Sequence, residues 1–443
     1  LGIGRTLMGG VRALLALEVD HPGAVITVLG RGAILGLKTL ERSPGIDQRA
    51  IDREVVRGQQ LLLAGQIDDL IEEASGHVGG DKAFAQAAEV RLVQRRALEI
   101  HVEKPAEQDV VTQVINGGVL MSKKGVNLPF TNISIPSITE KDRADIDFAI
   151  ENNIEWIGLS FTRTAQDILN LKKIIKDCGN AMRVIAKIEK PEGVKNIDEI
   201  LLECDGLMVA RGDLGVELPG EQVPGIQREL IRKCIHRAKP VIVATQMMES
   251  MIDRSKPNRS EITDVANAVL EGADAVMLSG ETATGNHPEL VVETMTKIIL
   301  EVETKAYDYN REEMLKPQSH SPSFLSDAIC YNACKLAEDV NADALIGMTQ
   351  SGYTGFMLSS YRPKAHLYIF TKIRSLVNQL SLSWGVRAFY YDEEESLDDI
   401  FSDQIDILKE RDFVRSGDVV VSTGSTPIHL HLPTNVLKIA KVE

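Results

Sequence analysis

Five times between Trp156 and Ala306 a short apolar run is followed by a stretch with helical periodicity, and this alternation constrains the fold more than any other feature. The runs are "WIGLSF", "MRVIAKIE", "GLMVARG", "PVIVATQ" and "AVMLSG", and the spacing predicts helices over 164–178, 192–203, 223–237, 260–271 and 287–305. Strands that are apolar on both faces belong to parallel sheets covered by helices. A helix over "SITEKDRADIDFAIENNI" precedes the first run, with Thr139 as its N-cap and acids in its first turn. Two to three further units would close an eight-stranded barrel. The expected class is therefore α/β, with a parallel (β/α)8 TIM-type barrel that is incomplete if residues 1–104 supply no strands.

Residues 306–322, with Pro317 and Pro322, read as a linker. A second series follows it: a helix over 324–339, "ALIGMTQSG", a helix over 354–361, "HLYIFTK", a helix over 374–383, "VRAFYY", a helix over 396–411, "DVVVSTG" and "NVLKIAKV". This predicts a C-terminal three-layer α/β domain over 307–443. Upstream, "VVTQVINGG" and "VLMSKKGVNLP" read as short strands. Composition breaks near Lys104. Residues 1–104 hold none of the 16 Asn and ten Arg against three Lys, so they are assigned to no domain. A domain of separate ancestry and a segment translated out of frame both fit that break.

A net charge of −15 argues against nucleic acid or an anionic membrane as partner. Five cysteines without metal-ligand spacing fit a reducing compartment, and Cys330 and Cys334, one helical turn apart, read as core.

Two of the runs end in charges of both signs. In a strand, residues i and i+2 share a face, so Lys187 is expected beside Glu189, and Arg211 beside Asp213, at the C-terminal rim. Thr245 ends the next strand, and Ser279 and Glu281 follow the one after. That rim is where parallel barrels carry their active sites. Two carboxylates on neighbouring strands offer hard oxygens to Mg²⁺ or Mn²⁺, and a lysine beside them can stabilise an oxyanion. Backbone N–H groups at Gly212 suit a carboxylate or phosphate. A pair of structural ion pairs at the rim remains the alternative; "RGD" as an adhesion motif is disfavoured because it directly follows an apolar strand.

"VIAKIEKPEGVKNIDEIL", "DGLMVARGDLGVELP", "KPVIVATQMMESMI" and "GADAVMLSGETATGNHP" resemble successive barrel strands of pyruvate kinases. "GGVLMSKKGVNLP", "SGYTGFMLSSYRP" and "QLSLSWGV" do so too, and the resemblance runs in order from about residue 105 to 443. It implies the end of a lid domain over 105–130, a catalytic barrel over 131–306 and a regulatory C-terminal domain. It further implies glycolytic phosphoryl transfer from phosphoenolpyruvate to ADP, in a cytoplasmic homotetramer using Mg²⁺ or Mn²⁺. Glu189 and Asp213 would hold the metal, and Lys187 would neutralise the phosphoryl group and the enolate. Thr245, with Gly212 and Asp213, would seat the substrate carboxylate, Thr245 also taking part in protonation. Lys124 would reach the nucleotide. The turn "TQSGYTG" would take a sugar-phosphate effector on Thr349, Ser351 and Thr354, although Gln350 brings no charge to it and an ordinary strand–helix turn fits equally.

The family's first three barrel strands, which supply a phosphate-binding arginine and the K⁺ site, have no recognisable counterpart in residues 1–104. The K⁺ site is therefore not identifiable. An active pyruvate kinase and a catalytically defective relative both stay open, the missing motifs predicting weak turnover and an N-terminal segment poorly packed on the barrel.

Overall fold

The structure, a computed structural model, describes residues 137–306, 316–317, 321–393, 396–427, 430 and 432–443, together with six strands between residues 12 and 127. Those six are β1 (Arg12–Leu15), β2 (Ile26–Thr27), β3 (Glu89–Leu92), β4 (Leu98–Pro105), β5 (Val110–Asn116) and β6 (Val126–Asn127). β3 to β6 form an antiparallel sheet in the order β5-β4-β3-β6. The compositional break near Lys104 thus falls inside β4 rather than between structural units.

The five expected barrel strands are β7 (Trp156–Leu159), β8 (Arg183–Ile188), β9 (Gly206–Ala210), β10 (Val241–Ala244) and β11 (Ala275–Leu278). They pair in parallel in chain order. β7, β9, β10 and β11 are buried at every position, as apolar runs without alternation require. β1 joins β11 in parallel and β2 joins β7 antiparallel, so a seven-stranded sheet runs β1-β11-β10-β9-β8-β7-β2. Against the expectation of an irregular or poorly packed N-terminal segment, these two short strands do pair with the barrel sheet, and most of that segment lies outside the described residues. β2 lies in "GAVITVLG", an apolar β-branched segment able to cover an unpaired sheet edge.

The helices begin where their caps place them. Thr139 accepts from the Asp142 N–H at 3.2 Å while its own N–H donates to Asp142 at 2.8 Å, a reciprocal capping box; Thr164 with Asp167 repeats it.

The C-terminal domain has the strands β12 (Ala344–Met348), β13 (His366–Thr371), β14 (Val386–Tyr390), β15 (Val419–Gly424) and β16 (Val436–Lys441), in the order β14-β13-β12-β15-β16. All pairs are parallel except β15–β16. One face packs Cys330, Ala333 and Cys334 over Leu345, Leu367 and Val421, while the other packs Ile400 and Leu408 over Ile346 and Phe370. These are the three layers the sequence predicts, with both cysteines in the core. Burial pushes the Cys330 thiol up to about 12.

Within the helix Leu397–Glu410, Gln404 is fully buried and neither side-chain amide atom has a partner. An unmet buried polar group costs about 1–3 kcal/mol, so Gln404→Met, close in shape, should raise stability by about that amount. A denaturation midpoint at or below that of the parent chain would overturn this expectation.

Candidate active site

The rim at the C-terminal ends of β7 to β11 gathers the ionisable groups. Lys187, second-last in β8, projects with Glu189 as the two-residue period requires, and Nζ lies 2.8 Å from Glu189 Oε1. Nζ also donates to Ser160 Oγ at 2.9 Å, just past the end of β7. The Phe161 N–H donates to Glu189 Oε2 at 2.5 Å, from a backbone with φ of 50°. The Glu189 side chain is 2% exposed and that of Lys187 12%. The carboxylate is therefore held inside and the ammonium reaches the mouth.

The second expected pair is not aligned by strand geometry. β9 stops at Ala210, and Arg211–Glu217 is a helix. Helical rotation of about 100° per residue turns Arg211 and Asp213 to different faces. Arg211 instead meets Asp264 at 2.6 Å, on the helix Arg259–Leu270. This buried arginine also excludes the adhesion reading. Asp213 remains in the first turn of its helix, beyond the end of β9, which runs beside β8 with Ile188 opposite Val209. A further buried pair, Lys190 with Glu217 at 2.7 Å, ties the residue after Glu189 to the far end of that helix.

Gly212 and Thr245 come together: the Gly212 N–H donates to Thr245 Oγ1 at 2.7 Å, and that hydroxyl donates to the Ala244 carbonyl at 2.6 Å. A Cβ on residue 212 would stand 3.2 Å from Thr245 Oγ1, so glycine permits this approach. Ser279 and Glu281 are not offered to the mouth. Glu281, 2% exposed, accepts from the backbone N–H groups of Ser279 at 2.8 Å and Met248 at 3.1 Å, joining two rim turns. Lys124 lies outside the described residues.

Among the described residues no group of three or more metal-ligating side chains occurs. Glu189 nevertheless fits a hard cation. Each carboxylate oxygen carries two lone-pair sites, and the bonds above occupy one on each oxygen. With Asp213 on the neighbouring strand's helix, the donor chemistry is that of Mg²⁺ or Mn²⁺.

In the C-terminal domain, Thr349 Oγ1 accepts from the Gly352 N–H at 3.0 Å, and Thr354 Oγ1 lies 2.7 Å from Thr434 Oγ1. Both threonines are buried, whereas Ser351 is exposed with its carbonyl accepting from Arg183 at 2.7 Å. Local sequence could not have revealed Ser160, Phe161, Lys190, Glu217 or Asp264 as parts of the rim. Each enters through a partner about 27 to 53 residues away.

Profiles described as "Pyruvate kinase, barrel domain" and "Pyruvate kinase, alpha/beta domain" match residues 85–292 and 327–440. A pyruvate kinase of Clostridium acetobutylicum is 39% identical over 354 residues, 80% of this chain and 74% of that protein. One of Geobacillus stearothermophilus is 43% identical over 345 residues, and this chain spans only 58% of its length. A solved pyruvate kinase from Cryptosporidium parvum superposes with a TM-score of 0.71 at 33% identity, covering 81% of this chain and 73% of that one. With two successive domain profiles in order and a relative matched over most of its length, the chain belongs to the pyruvate kinase family.

Proposed function

We propose that this chain transfers the phosphoryl group of phosphoenolpyruvate to ADP, giving pyruvate and ATP. The observation that carries the proposal is the rim arrangement in a chain of this family: a Lys187–Glu189 pair at 2.8 Å beside a Gly212–Thr245 contact at 2.7 Å. An ADP oxygen attacks phosphorus, the bond from phosphorus to the enol oxygen breaks, and its electrons stay on that oxygen as an enolate. Such transfers depend on positioning and cationic charge more than on covalent chemistry. The Lys187 ammonium supplies that charge from the mouth, steadied by Ser160 and Glu189. Glu189 and Asp213 would hold Mg²⁺ or Mn²⁺, which when bound adds Lewis-acid stabilisation. Thr245 and the Gly212 backbone seat the substrate carboxylate, and the Thr245 hydroxyl takes part in delivering the proton that converts enolate to pyruvate.

A lactate-dehydrogenase-coupled assay on the 443-residue chain tests the reading. Turnover near the ~10 s⁻¹ typical of enzymes supports it. No phosphoenolpyruvate-dependent turnover would overturn it in favour of the defective relative, the reading favoured by the missing arginine and K⁺ motifs in residues 1–104.

The metal assignment has its own check: calorimetric Mg²⁺ titration should show affinity lowered about tenfold or more in Glu189→Gln, since a ligand charge is lost. Equal binding by both proteins removes Glu189 from the site.

The same reading carries Lys124 as a nucleotide contact, a cytoplasmic homotetramer and a sugar-phosphate effector at the turn Thr349–Thr354. Sedimentation at the mass of four protomers checks the assembly. At the effector turn, alanine at Thr349, Ser351 and Thr354 together should erase activation by a panel of sugar phosphates. An unchanged response would leave the segment an ordinary turn.

A further inference from the structure

Thr245 and Gln246 both occupy the left-handed backbone region, with φ of 66° and 55°. Neither is glycine, and Thr245 is β-branched, so the conformation persists only where surroundings over-determine it. The hydroxyl is fixed between the Gly212 N–H and the Ala244 carbonyl. The Thr245 carbonyl is fixed by Arg211, whose Nη2 donates to it at 2.7 Å and also reaches Met247 Sδ at 2.8 Å. Nη1 of the same guanidinium is anchored by Asp264 at 2.6 Å and by Gln227 at 3.4 Å. Arg211 is 9% exposed, so its charge is directed into the protein.

We infer that Arg211 is a positioning residue for Thr245. Asp264 aims the planar fork, the fork holds the Thr245 carbonyl, and the strained turn then presents the threonine hydroxyl to Gly212 at the carboxylate seat. The inference rests on the proposed reaction for its kinetic consequence, though not for its geometry. Two donors in a rigid plane are required, one for Asp264 and one for Thr245. Lysine carries the charge without that fork.

The decisive variant is Arg211→Lys, studied alone and combined with Thr245→Ala. KM for phosphoenolpyruvate should rise about tenfold, the scale of one lost charge-assisted hydrogen bond, while KM for ADP stays within about twofold. In the Thr245→Ala background the arginine substitution should add little, because the group it positions is gone. Site-resolved hydrogen exchange reads the same placement without turnover. The Gly212 amide should lose protection in Arg211→Lys while that of Val243, in the core of β10, keeps it. Unchanged Gly212 protection, equal rises in both KM values, or additive effects in the double variant would overturn the inference. A wild-type chain without turnover whose Gly212 exchange behaves as expected would sink the assigned reaction and leave the positioning role standing.

Discussion

Lys187→Met is expected to lose on the order of 10²–10³ in turnover relative to the parent chain, the usual consequence of deleting one group that stabilises a developing oxyanion. The side chain it removes sits at the mouth, held by Ser160 at 2.9 Å and Glu189 at 2.8 Å. The substitution has a second consequence that does not depend on turnover. Glu189, 2% exposed at its side chain, would keep the Phe161 N–H but would lose its cation. An uncompensated buried charge is destabilising by several kcal/mol, so the variant should unfold at lower temperature without metal. Mg²⁺ should then recover more stability in Lys187→Met than in the parent, because the cation replaces the missing ammonium beside Glu189. Thermal unfolding with and without Mg²⁺, beside the coupled assay, checks both expectations. Near-parental turnover refutes the catalytic assignment. Equal Mg²⁺ stabilisation of the two proteins refutes the idea that lysine and metal share the carboxylate.

The legibility of this site follows from the range over which each feature is encoded. The Lys187–Glu189 pair could be read because strand geometry alone puts residues i and i+2 on one face. The same rule misplaced Arg211 and Asp213. "MVARGDLG" continues an apolar run and contains two glycines, which weigh against a helix, yet the chain turns helical at Arg211. Tertiary contact overrides that local preference: Arg211 finds Asp264 and the Thr245 carbonyl, both on other elements. The left-handed backbone at Phe161 and Thr245 was equally hidden, since no glycine marks it. Helix starts were legible to the residue at Thr139 because a capping box spans four positions. At the turn Thr349–Thr354 the sequence offered three hydroxyls that could cradle a phosphate. Folding engages all three: Thr349 accepts from the Gly352 N–H, Ser351 from the Tyr353 N–H at 3.3 Å, and Thr354 meets Thr434, which lies 80 residues away.

Asp274 should be the most sensitive position for stability among the described residues joining barrel and C-terminal domain. It stands just before β11 and is 4% exposed. Oδ2 accepts from the Val241 N–H at 2.9 Å, the first residue of β10, thereby fixing two barrel strands at their N-terminal ends. Oδ1 accepts from Arg362 Nη1 at 3.0 Å and from the Trp384 N–H at 2.9 Å, both in the C-terminal domain. Arg362 also donates to the Gly272 carbonyl at 2.6 Å and stacks its guanidinium 5.3 Å from the Trp384 ring centre. Asp274→Ala therefore strands two backbone donors and a mostly buried arginine in one step. Breaking a buried pair from one side costs about 3–5 kcal/mol, a large part of the ~5–15 kcal/mol that holds a folded domain. Asp274→Asn keeps the shape and one acceptor oxygen, so it should fall between alanine and the parent. Because the network lies at the end of the barrel opposite Lys187 and Glu189, its loss should lower the denaturation midpoint while metal affinity of the remaining folded protein stays within about twofold, as expected for distant, independent sites. A midpoint for Asp274→Ala within about 1 kcal/mol of the parent would mean that water satisfies these donors and that the two domains are held by their other contacts.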